Sequence, residues 1–199
     1  MIVVDVETTG TDEKKNSIVS IGALDFYQPT NQFYQECRIW PGAEISDEAL
    51  KVNGFTREQI NDPTKPSQRE TLENFLEWLK YISDITIMGE NPFFDKDFLN
   101  ASLEREGLEF RFGRRIRDLH TTCCNAMNLN FLPIPLKDRT SDLNTDKILA
   151  YCGLPVREGY HNALEDTRLE AEAFSRLVYG KHLLDGFKKY SVPSCLVRK

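Results

Sequence analysis

The sequence predicts an α/β fold, with a mixed sheet that is antiparallel on one side, parallel on the other, and covered by helices. Three observations point there. Strand-like segments at 2–6, 18–26 and 32–40 follow one another across short turns, as in an antiparallel meander. Beyond residue 47 helical and strand patterns alternate. Within 67–83, Leu72, Phe75, Leu76, Leu79 and Ile82 share one helical face.

The elements follow in order. Residues 2–6 are short and β-branched. Residues 18–26 form a mainly apolar run that ends before the turn Gln28-Pro29-Thr30-Asn31. Residues 32–40 mix aromatic and polar side chains and stop at Pro41-Gly42. A short helix is expected over 47–52. Ser67 with Glu70 three residues later is a capping-box signature for the helix over 67–83. Residues 85–88 read as a buried strand, 95–106 as a helix ending at Gly107, and 116–119 as a short strand. Residues 142–152 read as a helix closed by Gly153, and 162–178 as a long helix ending near Gly180. Residues 128–140, with Pro133, Pro135, Lys137 and Arg139, read as a loop.

Composition narrows the class. The chain has 199 residues, 40% hydrophobic and 28% charged, so one core can form; a domain of this size buries roughly 70% of its unfolded surface. No apolar run approaches the roughly 18 residues of a membrane span, and residues 1–7 lack the basic start of a secretory leader. The five cysteines are odd in number and contain no C-x-x-C pair. Reduced core thiols in a cytoplasmic protein are the expectation. A net charge of −6 argues against a protein that coats nucleic acid by bulk charge. An enzyme acting on nucleic acid stays in play, because carboxylates that hold metal ions count toward that charge.

The acids carry the chemistry. Asp5 and Glu7 are two apart in a strand, so both side chains leave the same face. Thr8-Thr9-Gly10 then turns the chain and exposes backbone N–H groups beside them. Asp95 falls near the start of a helix, where the dipole favours an acid. His161 and Asp166 straddle the start of the long helix. Each feature alone reads as ordinary: a solvated edge, a helix-terminal acid, a surface histidine.

Together they form a pattern. Asp5-Val6-Glu7-Thr8-Thr9-Gly10, Asn91-Pro92-Phe93-Phe94-Asp95 with Phe98-Leu99, and His161-Asn162-Ala163 with Asp166 resemble the motifs of the DEDDh branch of the DEDD 3′→5′ exonucleases. Members of that branch include the proofreading subunit of the bacterial replicative polymerase and ribonuclease T. The resemblance spans residues 2–178, with weaker matches at Val19-Ser20-Ile21-Gly22, Val52-Asn53-Gly54-Phe55-Thr56 and Asp118. Asn91-Pro92 and Asn53 depart from the common pattern, at positions that flank substrate rather than hold metal. His161 selects the branch, because Tyr160 stands six residues before Asp166 and does not fit the sister branch's tyrosine spacing of four.

The resemblance implies an RNase H-like, mixed five-stranded sheet, antiparallel across strands 1–3 and parallel across strands 1, 4 and 5. It implies an exonuclease domain over 1–180, with a tail over 181–199 packed on it. Asp5, Glu7, Asp95 and Asp166 would be metal ligands as well as catalytic groups, holding two Mg²⁺ ions for which Mn²⁺ substitutes. One ion, held by several of the acids, would activate the water; the other, held mainly by Asp5 and the phosphate, would face the leaving 3′-oxygen. His161 would be the general base, carried on the loop Arg157-Glu158-Gly159-Tyr160. Thr8, Thr9 and Gly10 would bind the terminal nucleotide through backbone donors, and Phe55 would pack on its base or simply on the core.

The expected partner is the 3′ end of single-stranded DNA or RNA, with no membrane. A polymerase or a second copy of the chain is the candidate protein partner, and the apolar tail Leu183-Leu184-Asp185-Gly186-Phe187 is a candidate dock for one. Phosphate grip falls to Arg111, Arg114, Arg115 and Arg117, or to Lys137 and Arg139, or to the basic tail Lys188-Lys189 and Arg198-Lys199. Two alternatives stand beside this reading: an oligoribonuclease acting on very short RNA, and a non-catalytic adaptor that binds a nucleic-acid end or a polymerase.

Overall fold

The computed structural model describes residues 1–157 and 159–198. Glu158 of the predicted loop and Lys199 of the basic tail lie outside the described residues. Five strands form one sheet in the order β3-β2-β1-β4-β5. They are β1 (Ile2–Thr8), β2 (Ile18–Asp25), β3 (Gln32–Glu36), β4 (Ile87–Gly89) and β5 (Ile116–Asp118). β1 to β3 pair antiparallel, whereas β1–β4 and β4–β5 pair parallel. This is the mixed sheet expected from the sequence.

Alternation along β1 divides the core. Val4 and Val6 face a cluster built on α3 (Gln68–Leu79) and α4 (Pro92–Arg105), with Leu72, Phe75, Phe98 and Leu99. Val3 faces the opposite cluster, built on α5 (Leu119–Leu129), α6 (Thr145–Tyr151) and α7 (Ala163–Tyr179). Asp5 and Glu7 share the face of Val3 by period two. A polar opening lies past the carboxyl ends of the parallel strands. Ligands of open α/β sheets bind there, where strand order switches direction.

Gly22 makes the opening workable. It pairs with Asp5 across β1 and β2. A Cβ on Gly22 would stand 2.2 Å from the Ala163 carbonyl carbon, which is backbone and has nowhere to go. The missing side chain lets the first turn of α7 sit on β2, and the Thr167 hydroxyl lies 3.2 Å from the Gly22 carbonyl oxygen and 2.6 Å from that of Ala163. That contact sets Asp166 over the acids of β1.

Several elements differ from the sequence reading. β3 ends at Glu36 rather than Trp40, because the next amides bond elsewhere: Arg38 N–H donates to the Pro66 carbonyl and Ile39 N–H to that of Ile60. α4 begins at Pro92, three residues earlier than expected, after Asn91 turns the chain at φ 51°. Asparagine tolerates this left-handed conformation better than most residues. The short helix expected over 47–52 is α1 (Asp47–Asn53), and two helices were not foreseen: a single-turn α2 (Arg57–Ile60), and α5, which starts directly after β5. Its run Thr121-Thr122-Cys123-Cys124 carries weak helix propensity, but Asp118 caps it by accepting from His120 N–H and Thr121 N–H. The loop over 128–140 folds back as a small hairpin, β6 (Leu136–Lys137) with β7 (Thr140–Ser141).

The tail lies partly on the core. Leu183, Leu184, Phe187 and Val192 pack against the core, and Leu196 is buried in it. Leu183, Leu184 and Phe187 also line a depression with Pro29, Gln32 and Arg168, so part of the segment proposed as a dock faces outward. Among the described residues no helix is long and apolar enough to cross a membrane.

Candidate functional site

Beyond residue 3, β1 has no partner on the β4 side. The free Val6 N–H is taken instead by the Asp95 carboxylate, with Oδ1 accepting at 2.9 Å. This bond carries the first turn of α4 to the end of β1. A cavity of about 330 Å³ opens there, lined by Asp5, Glu7, Glu90, Asp95 and Glu170 among others. Asp166 is not in the lining but lies against two residues that are, with Oδ1 3.6 Å from Arg157 Nη1 and Oδ2 3.9 Å from His161 Nδ1. One carboxylate oxygen each from Glu7 and Asp166 and a ring nitrogen of His161 lie within 4.8 Å of one another.

The structure thus gathers Asp5, Glu7, Asp95, Asp166 and His161 from β1, α4, α7 and the segment just before α7. The tightest group holds His161 in place of Asp5 and Asp95. Thr8 and Gly10 also line the cavity. Thr9 does not: its N–H donates to the Ser17 carbonyl, and its hydroxyl donates to the Glu44 carbonyl and accepts from Ser17 N–H. Its backbone donor is therefore unavailable to a nucleotide. Phe55 lies outside both the cavity lining and the core clusters, with the Lys65 ammonium 5.0 Å from its ring centre. Asn53 lines the cavity and fixes its wall, because its side-chain amide donates to the Thr8 carbonyl at 2.9 Å.

Arg111, Arg114, Arg115 and Arg117 do not line the cavity. Arg114 and Arg115 border a separate depression beside Ile85 and Ile87, at the amino end of β4. The cavity's own cation is Arg157, which the sequence reading treated only as part of a loop. Arg157 Nη1 lies 3.2 Å from His161 Nδ1 and 3.6 Å from Asp166 Oδ1, and Nε lies 3.2 Å from Asp146 Oδ1. Nothing in the local pattern marks it, since Arg157 belongs to no element. Glu170 was legible: four residues beyond Asp166 on α7, it shares that helix face. Its Oε2 accepts from Glu90 N–H at 3.2 Å and holds the turn that leads into Asn91.

The electrostatics follow from crowding acids out of water. Burial pushes Asp5 well above the usual carboxylate range, and the charges of Asp95, Glu7, Glu170 and Asp166 push it further. Glu7 is raised to about 8, by burial first and then by Asp166 and Asp95, with Arg157 opposing. Asp95 is raised to about 7 by burial, although the Val6 N–H bond opposes it. Burial raises Glu170 and Asp166 as well. His161 moves down: burial disfavours the imidazolium, and the neighbouring Arg157 adds to that.

These shifts predict a stability profile. Unfolded carboxyls ionise near pH 4, but the folded Asp95 and Glu7 hold protons to about 7 and about 8. Between these limits the folded chain binds more protons than the unfolded one, so stability falls as pH rises. His161 works the other way, but only below the ordinary histidine value near 6.5. In EDTA the melting temperature should fall steadily from pH 6.5 to 8.5, and millimolar Mg²⁺ should flatten the fall. A melting temperature that climbs across this window in EDTA would show that the acids are not buried together.

The cavity fits divalent cations. Among the described residues, Glu7 Oε1 and Asp166 Oδ2 are buried without a hydrogen-bond partner. Buried acceptors left bare are costly, and hard oxygen ligands of this kind suit Mg²⁺ or Mn²⁺.

The sequence matches the Exonuclease family (RNase_T) over residues 2–174. The chain belongs to that family. Its His161 and Asp166 resemble the closing motif of the DEDDh branch. It is 32% identical over 181 residues to the PolC-type DNA polymerase III of Thermotoga maritima, a match that covers 89% of this chain and 12% of the polymerase. It is 27% identical to the 3′-5′ DNA exonuclease Cap18 of Escherichia coli, across 86% of this chain and 87% of that protein. In structure it resembles the nuclease domain of 3′hExo, a DEDDh family member solved with rAMP. The TM-score is 0.67 at 17% identity, over 92% of this chain and 93% of that one. The chain therefore spans about an eighth of the PolC-type polymerase and most of the length of Cap18.

Proposed function

We propose that this exonuclease-family chain releases nucleoside monophosphates from the 3′ ends of single-stranded DNA or RNA, using two Mg²⁺ ions that Mn²⁺ can replace. One observation carries the reading: carboxylates remote in sequence converge on one cavity, where two of their buried oxygens have no partner among the described residues. Asp5, Glu7, Asp95 and Asp166 would hold the cations. When bound, the ions would stabilise the charge that builds on the phosphate and polarise the attacking water.

The chain's own groups do the rest. His161 is neutral near pH 7 because its pKa is lowered, so it can take the proton from water as general base. Its backbone N–H donates to the Val52 carbonyl at 3.0 Å and anchors it beside the cavity. Thr8, Gly10, Val52 and Phe94 form walls around a space of about 330 Å³. That is near the small end for ligand pockets of roughly 300–1,000 Å³, and it favours one unstacked terminal nucleotide over a base pair. Support for both sugars comes from the relatives, one named a DNA exonuclease and one solved with a ribonucleotide. The two departures, Asn91 and Asn53, are both in the cavity lining.

The test is a degradation assay on 5′-labelled 20-mers of DNA and RNA, single-stranded and duplex, with Mg²⁺ or EDTA. Stepwise shortening from the 3′ end of single strands is expected, with none in EDTA. His161→Ala should slow single-turnover cleavage by about 10²–10⁴-fold, the usual worth of a positioned acid–base group. Equal cleavage in EDTA, or a His161→Ala chain that cuts at the full rate, would overturn the proposal.

A further inference from the structure

Arg157 is the one lysine or arginine among the described residues that line the cavity. It touches or faces each member of the tight ligand group. Its Nη1 lies 3.2 Å from His161 Nδ1 and 3.6 Å from Asp166 Oδ1, and its charge opposes the upward shift of Glu7. A guanidinium has donors and no acceptor. Nδ1 of His161 is therefore the acceptor in this contact, and the ring proton sits on Nε2. Neither ring nitrogen then offers a free lone pair to a water. At its other edge Nε is paired with Asp146 Oδ1 at 3.2 Å, in the first turn of α6. Asp146 is about half exposed, at 48%.

We propose that Arg157 is the chain's internal counter-cation, which occupies the acidic cup in the absence of metal and yields to divalent ions by withdrawing onto Asp146. This rests on the metal-dependent reading above. The reasoning is competition. A divalent ion seated on the bare oxygens of Glu7 and Asp166 would stand beside a fixed positive charge, and like charges at this range in a half-buried site repel strongly. Arg157 cannot lose its charge by deprotonation, so it must move. Asp146 gives it a partner outside the cup, and the move frees Nδ1 of His161. Arg157 is thus a positioning residue that couples cation binding to release of the base.

The test is Mg²⁺ binding by titration calorimetry on the full chain. Arg157→Leu should bind Mg²⁺ about tenfold more tightly than wild type, the change expected from removing one charge-assisted contact in competition. The same variant should melt below wild type in EDTA and not in saturating Mg²⁺. Asp146→Ala should bind Mg²⁺ several-fold more weakly, because Arg157 then has no place to withdraw. A second readout uses wild type alone: the His161 Nδ1 resonance in ¹⁵N NMR should move on adding Mg²⁺, as its hydrogen bond from Arg157 is lost. Arg157→Leu affinity equal to or below wild type, unchanged or tighter binding by Asp146→Ala, or an unmoved Nδ1 resonance would overturn the inference and leave the exonuclease reading standing. A wild-type chain that binds no divalent cation would overturn both.

Discussion

Asp95→Asn is expected to lower the Mg²⁺-dependent rate by at least about three decades and, in EDTA, to raise the melting temperature. The two effects share one cause. On the proposed reading the carboxylate helps to hold ions whose charge stabilisation is worth several kcal/mol, and each 1.36 kcal/mol is about one decade of rate. Without ions, above the pH at which Asp95 gives up its proton, the same charge only disfavours ionisation of Asp5 and Glu7 across a buried space, so the stabilisation should grow from pH 7 to 8.5. Asparagine keeps an oxygen where Oδ1 now accepts from Val6 N–H, so the end of β1 stays joined to α4. Single-turnover cleavage and thermal melts of the same preparation check both halves. A variant that is inactive and less stable in EDTA would mean that Asp95 serves the fold rather than the ions.

Arg176→Ala is expected to destabilise the chain by about 3–5 kcal/mol, the range for removing one partner of a buried ion pair. Arg176 and Glu172 are both fully buried on α7, with Nε donating to Oε1 at 2.8 Å. The rest of the guanidinium donates to the carbonyls of Cys152, Ser191, Tyr190 and Phe187. Glu172 Oε2 accepts from Leu183 N–H and Leu184 N–H. The pair therefore satisfies backbone groups that would otherwise be buried and bare, and it pins the segment after α7 to the core. At about 2–4 °C per kcal/mol for a chain of this size, the melting temperature should fall by about 10 °C. Arg176→Lys should recover part of this, because an ammonium keeps the charge but lacks the planar fork. A fall of less than about 2 °C for the alanine variant would show that water replaces the arginine without loss.

How much of this was legible follows from range. Period two placed Asp5 and Glu7 on one face, and the structure puts both at the cavity. The capping box at Ser67 and Glu70 fixed the start of α3, because caps are local chemistry. α5 escaped notice because its signal is one aspartate at its head, and tertiary packing of Leu119, Cys123 and Met127 overrides a poor propensity. Thr9 was assigned to substrate because a turn beside two acids looks exposed, but pairing with Ser17, eight residues on, buries it. Glu172 and Arg176, spaced four apart, have the pattern of a surface pair, and only the returning tail reveals that they are interior. Arg157 could not be foreseen, since its partners Asp146, His161 and Asp166 come together only through the packing of α6 and α7.

The central claim is that the acids of β1, α4 and α7 hold a pair of divalent cations. Anomalous diffraction at the manganese edge, from crystals grown with Mn²⁺ and a nucleoside monophosphate, tests it most directly. Two manganese peaks within the cavity bounded by Asp5, Glu7, Asp95 and Asp166 are predicted. A cavity free of manganese, with the metal bound elsewhere on the chain, would contradict the account.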